Sequence, residues 1–182
     1  PPRAEPPLRP PSREDDMNEA IRPVLTGHKA LVVGIANDQS IAYGCARAFR
    51  DAGAELAVTW LNEKARPHVE PLADALEAPI KTELNVAKAG QLEAVFEEIS
   101  RKWGKLDILV HSIAFAPMDD LRGGLLDCSA EGFAKAMDVS CHSFVRMARL
   151  ATPLMKNGGT MFAMSYHGAN RVVPNYNVMG PV

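Results

Sequence analysis

The first regular pattern along the chain is an unbroken apolar run, Ala30-Leu31-Val32-Val33, ending in Gly34. A run without polar alternation suits a strand buried on both faces of a parallel sheet. Past the loop Ile35–Gln39, Ser40 stands where it can cap a helix with Ile41, Cys45, Ala48, Phe49 and Ala52 on one stripe. Gly53 then closes that helix. Glu55 to Trp60 reads as a second strand. Residues 64–76 follow as a helix, in which Pro71 argues for a break or a late start. Ile80 to Val86 is a third strand. Leu92, Val95, Phe96, Ile99 and Trp103 recur at helical spacing and stop at Gly104. Leu106 to Ile113 is a fourth strand, residues 129–155 one long helical pattern, and Thr160 to Ser165 a fifth strand.

This alternation of strand and helix predicts an α/β fold, a doubly wound parallel sheet of the Rossmann type with strand order 3-2-1-4-5 and right-handed crossovers. In such sheets ligands bind beyond the carboxyl ends of the strands, where strand order reverses. That point lies between the first and fourth strands, at Gly34–Ile41 and His111–Pro117.

Composition adds boundaries. The chain has 182 residues, 47% hydrophobic and 23% charged, with net charge -2. That is one ordinary domain, and the charge balance gives no reason to expect nucleic acid or an anionic membrane as partner. Six of the 14 prolines fall within residues 1–11. Residues 1–26 therefore read as a disordered Pro-rich tail or a mis-assigned start upstream of Met17, and residues 27–182 as the dinucleotide-binding domain. The three cysteines Cys45, Cys128 and Cys141 lack metal-ligand spacing and make no disulfide framework. A reducing cytoplasm is the default compartment, and no metal is expected.

The first strand-to-helix turn reads Gly34-x5-Ser40-Ile41-Ala42-x-Gly44. A Gly there lets backbone approach a ligand, and a helix N-terminus suits a pyrophosphate. It is not Gly-x-Gly-x-x-Gly, so a plain capped turn explains it equally well. Beyond the second strand, Glu63 would favour a ribose hydroxyl, whereas Lys64 and Arg66 would accept a 2′-phosphate. The residues leave NADH and NADPH both open.

Four segments together resemble the enoyl-acyl-carrier-protein reductases of bacterial fatty-acid synthesis, divergent members of the short-chain dehydrogenase/reductase superfamily. They are Gly34-Ile35-Ala36-Asn37-Asp38-Gln39-Ser40-Ile41-Ala42-Tyr43-Gly44, His111-Ser112-Ile113-Ala114-Phe115-Ala116-Pro117, Ser165-Tyr166-x-Gly168-Ala169 and Pro174-Asn175-Tyr176-Asn177-Val178-Met179-Gly180. The resemblance runs from about Leu25 to Val182. It implies NADH as cofactor, held by Gly34, Ser40 and Ile41 at the phosphates, Leu61 at the adenosine end, Asn85 and Val86 at the adenine, and Ser112 and Ile113 along the ribose and nicotinamide. It implies Ala116 as a substrate contact, and Tyr166 and Tyr176 as the two active-site tyrosines. An enoyl thioester on acyl carrier protein would be the substrate, and the family's full-length members form homotetramers. Two positions depart from the family: Leu61 where Gln is common, and Asn85 where Asp is. Ser140 stands where the wider superfamily usually carries Asn, which agrees with the enoyl-reductase branch. His111 is expected to brace its loop, and His142 to lie on a helix surface.

The family also pairs its second tyrosine with a lysine seven residues on, one place past Val182. The resemblance therefore implies a domain incomplete at its C-terminus, with an open edge at the fifth strand and impaired turnover. Two other functions stay open: a short-chain dehydrogenase acting on a hydroxyl or ketone, and a non-catalytic dinucleotide-binding module.

Overall fold

Residues 23–182 are described by the structure, a computed structural model. Of the expected tail, residues 1–26, residues 1–22 lie outside the described residues. In chain order the elements are β1 (Lys29–Val33), α1 (Ile41–Asp51), β2 (Glu55–Trp60), α2 (Arg66–Ala75), β3 (Ile80–Glu83), α3 (Gln91–Trp103), β4 (Ile108–His111), α4 (Met118–Leu121), α5 (Ala130–Ala136), α6 (Ser143–Ala151) and β5 (Thr160–Ala163). All five strands are parallel, in the order β3-β2-β1-β4-β5. The predicted doubly wound topology is the one observed.

Side chains alternate across a strand, so the apolar run of β1 serves two cores. Ala30 and Val32 pack with Ala42 and Ala46 of α1 and Val69 and Ala73 of α2 on one face. Leu31 and Val33 pack with Leu92, Phe96 and Ile99 of α3 and Met147 and Ala151 of α6 on the other. Leu31 is fully buried between its register partners Ala57 and Leu109. Truncating it to Ala would cost about 3–4 kcal/mol, the usual range for a cavity of that size.

The departures from the sequence reading have local causes. The buried line of α1 is Ala42 and Ala46, with Phe49 partly buried, whereas Ile41 and Ala48 point to solvent. Small residues let the helix sit close over the sheet, and hydrophobicity alone picks the wrong stripe. Pro71 does not break α2. It lies on the exposed face, where the carbonyl it cannot serve remains open to water. The third, fourth and fifth strands end earlier than predicted, at Glu83, His111 and Ala163, and the chain passes from each into a loop. The long helix of residues 129–155 is divided: a π turn, Met137–His142, separates α5 from α6, and a 3-10 turn, Thr152–Leu154, ends it. Pro23–Thr26 form a turn whose Leu25 N–H donates to the Ala52 carbonyl at 2.8 Å, so Leu25 belongs to the folded domain.

The outer strand β5 is the thinnest part of the sheet. Phe162 and, just past its end, Met164 are exposed. No helix among the described residues is long and apolar enough to cross a membrane.

Candidate active site

A groove of about 410 Å³ opens beyond the carboxyl ends of β1, β2, β3 and β4. Gly34, Leu61, Asn85, Val86, Ser112 and Ile113 all line it, brought together from four separate strand ends. Gly34 is required at its place. Its φ is 108°, and a Cβ would overlap the Ser112 carbonyl oxygen, so the exits of β1 and β4 lie backbone to backbone. The Ser112 N–H donates to the Val33 carbonyl at 3.0 Å, extending the sheet one step to this contact.

At the far end Asn85 is held by two bonds. Its N–H donates to Gln91 Oε1 at 2.7 Å, and its Oδ1 accepts from the Ala87 N–H at 3.0 Å. Leu61 is half exposed at the rim. Thr59, a buried polar residue, and Lys135 also line the groove, and the sequence reading singled out neither.

Ser40 and Ile41 are not groove walls. Ser40 sits at the N-cap of α1 but caps nothing with its side chain. Its Oγ instead accepts from the N–H groups of Ala36 and Asn37, both at 3.0 Å, and shapes the loop before the helix. The Ile41 side chain is 69% exposed. The N–H groups of Ile41 and Ala42 have no partner among the described residues, and the first turn of α1 carries no acid. That end remains fit for an anionic phosphate.

The pair Lys64 and Arg66 resolves unequally. The Arg66 guanidinium forks onto the Glu70 carboxylate with two bonds of 3.0 Å, and Glu63 lies 3.8 Å away. The Glu70 partner raises the Arg66 pKa, and Arg66 lowers that of Glu70. Arg66 is therefore already engaged by a carboxylate on its own helix.

His111, at the end of β4, is buried, with Nε2 2.7 Å from Ser143 Oγ. Ser143 Oγ in turn donates to the Val139 carbonyl at 2.7 Å, so His111 is the donor in their shared bond. Burial holds the His111 pKa below its ordinary 6.5. His142 is exposed on its helix, 3.2 Å from Asp138.

The tyrosines line a second cavity of about 490 Å³. Their rings lie 5.0 Å apart, centroid to centroid. Tyr166 Oη donates to the Met179 carbonyl at 2.5 Å, whereas the Tyr176 hydroxyl has no partner among the described residues. Burial, and then the neighbouring Tyr176, raise the Tyr166 pKa above 10. Tyr176 sits between Asn175 (φ 61°) and Asn177 (φ 27°), two left-handed positions that Asn tolerates better than most residues. Gly123, Gly124 and Leu125, from the loop after α4, form the opposite wall. Ala116 lines neither cavity; it packs against Ala136, Val178 and Met179.

That wall is tied by a contact the sequence reading missed. Asp120 is buried, and its Oδ1 accepts from the Ser129 N–H at 2.7 Å, which holds its carboxyl below the usual range. A Cβ at Gly132 would overlap the same carboxylate. Nothing in a single sequence pairs Asp120 with a glycine 12 residues away. No group of three His, Cys, Asp or Glu among the described residues is placed to hold a metal ion.

A family model described as enoyl-(acyl carrier protein) reductase matches residues 34–182. The enoyl-[acyl-carrier-protein] reductase [NADH] 1 of Rhizobium meliloti is 42% identical over 157 residues, covering 86% of this chain and 58% of that protein. The corresponding NADH enzyme of Nostoc sp. is 46% identical, covering 86% of this chain and 62% of its own. The crystal structure of the Anaplasma phagocytophilum enoyl-acyl-carrier-protein reductase, solved with NAD, superposes with a TM-score of 0.83 at 40% identity, over 87% of this chain and 60% of that one. The chain thus spans less than two thirds of the length of each. Since the family model covers the whole stretch from the Gly34 turn through both tyrosines, the chain belongs to the enoyl-(acyl carrier protein) reductase family.

Proposed function

We propose that this chain carries the cofactor groove and the phenol pair of an NADH-dependent enoyl-acyl-carrier-protein reductase. The observation that carries the reading is the groove itself: six residues from four strand ends, with Gly34 pressed on Ser112, at the one place where the strand order reverses.

The residues suit a dinucleotide. Leu61, Val86 and Ile113 offer apolar surface for planar rings, while Thr59, Asn85 and Ser112 offer hydrogen-bonding groups between them. The free N–H groups at the start of α1 supply the phosphate end. Arg66, just past the end of β2, is engaged by Glu70, so a 2′-phosphate would have to compete for its guanidinium, which favours NADH.

NADH, when bound, would supply a hydride for the β-carbon of a trans-2-enoyl thioester and become NAD+, and a proton from water would complete the α-carbon. As negative charge develops on the thioester oxygen, Tyr176 donates its unpaired hydroxyl to that oxygen. Tyr166 is committed to the Met179 carbonyl and stays protonated, so it orients the cavity wall and presents only its lone pairs. The substrate is the acyl-carrier-protein thioester that the relatives' names state.

Fluorescence titration with NADH, followed by absorbance after addition of a trans-2-enoyl thioester, tests this. The expected result is saturable NADH binding and NADH oxidation that requires the unsaturated thioester. Absence of NADH binding would sink the reading. Binding without thioester-dependent oxidation would sink the role given to the phenol pair in this chain and leave the dinucleotide groove standing.

A further inference from the structure

We infer that Ser140 is a positioning residue for the cofactor groove, acting through the Phe115 peptide. This rests on the dinucleotide reading above and adds to it a residue that does not line the groove. Ser140 Oγ accepts from the Phe115 N–H at 2.9 Å and donates to the Phe115 carbonyl at 3.1 Å. One hydroxyl thus satisfies both polar groups of a single residue in the loop that leaves β4. The loop has left the sheet and has no ladder to join, so this hydroxyl fixes a peptide that water would otherwise serve.

The π turn Met137–His142 is what presents this hydroxyl. Turns of this kind are uncommon inside helices and concentrate at functional sites. The turn is held to the sheet a second time, three residues on, where Ser143 bonds both His111 Nε2 and the Val139 carbonyl. His111 and Phe115 bracket the segment that supplies Ser112, Ile113 and Ala114 to the groove. Two hydroxyls on one helix therefore clamp both ends of that wall, 25 and 32 residues away in sequence. The wall is also the surface against which Gly34 is pressed, so any movement of it changes the groove's width.

The clamp is tested with Ser140→Ala and Ser140→Thr, using two independent readouts. Removing the hydroxyl leaves the Phe115 N–H without its partner, so amide hydrogen exchange at Phe115 accelerates in Ser140→Ala. NADH affinity by fluorescence titration falls about tenfold, as expected from losing two ordinary hydrogen bonds that order a binding wall. Ser140→Thr keeps the hydroxyl and restores both readouts to within about twofold of the parent. Unchanged Phe115 exchange in Ser140→Ala overturns the clamp, whatever happens to NADH. Accelerated exchange with unchanged NADH affinity overturns the positioning role. If the parent chain itself binds no NADH, the dinucleotide reading fails, and the exchange measurement still decides the clamp. Should Ser140→Ala fail to fold, Ser143→Ala loosens the other end of the same wall and must weaken NADH binding in the same direction, or the inference is wrong.

Discussion

The cofactor groove and the tyrosine cavity are built by opposite means. The groove stands on the ends of three buried strands and of the half-exposed edge strand β3, and its tightest contact is backbone against backbone at Gly34 and Ser112. The tyrosine cavity stands on short turns past an exposed outer strand, and its residues are held by single bonds such as Tyr166 to Met179. The two cavities share no lining residue. On the proposed function, binding is preformed by the core of the sheet, and chemistry is placed by local loop conformation, where Tyr176 sits between the positive-φ residues Asn175 and Asn177. Damage to one region should leave the other readable.

The largest expected effect falls on the tyrosine side. Tyr176→Phe lowers turnover of an enoyl thioester on the order of 100- to 1,000-fold, the usual cost of one donor to a developing oxyanion, with NADH affinity unchanged. Steady-state kinetics beside an NADH titration separates the two; a parallel loss of NADH binding would show that the regions are coupled after all. Next is Gly34→Ala. A Cβ at φ 108° against the Ser112 carbonyl costs about 2–4 kcal/mol and removes NADH binding. Denaturant unfolding checks the first number, and an NADH affinity equal to the parent's would refute the contact's role.

A subtler test uses pH. His111 has its pKa lowered in the folded chain, so folding favours its neutral form. That stabilisation is present above the unfolded value near 6.5 and drains away as pH falls through the lower, folded value. Midpoints of urea unfolding should drop between about pH 7.5 and about pH 5.5, and His111→Gln should flatten that dependence. The smallest effect is expected at the groove's rim. Glu70→Gln frees Arg66, and NADPH affinity should rise about two- to fivefold relative to NADH. No change in the NADPH-to-NADH ratio would mean that Arg66 does not reach the ribose.

The groove was the more legible region for the same reason that it is the more rigid. Buried parallel strands carry unbroken apolar runs, so β2 was placed to the residue, and the strand order followed from strand–helix alternation. Strand ends in a doubly wound sheet converge on one edge, so the topology alone points to the Gly34 turn and to the segment after His111, while Leu61 and Asn85, which line the same groove, are named only by the family resemblance. The misread features are the ones periodicity cannot carry. It selected Ile41 and Ala48 where Ala42 and Ala46 are buried, because close packing over a sheet prefers small residues. It joined α5 and α6 into one helix, because a π turn changes hydrogen-bond partners and not hydrophobicity.

The sequence by itself determined the sheet, its order, the edge at which the groove opens and, through four spaced segments, the family. Each of these depends on burial or on local backbone freedom, and both are written in neighbouring residues. Only the tertiary structure decided which polar atoms meet: Ser140 with the Phe115 peptide, Ser143 with His111, Asp120 with Ser129, Arg66 with Glu70, and Tyr166 with Met179. A hydroxyl or carboxylate accepts many partners at similar energy, and the choice among them is made by the fold that brings one within 3 Å or so.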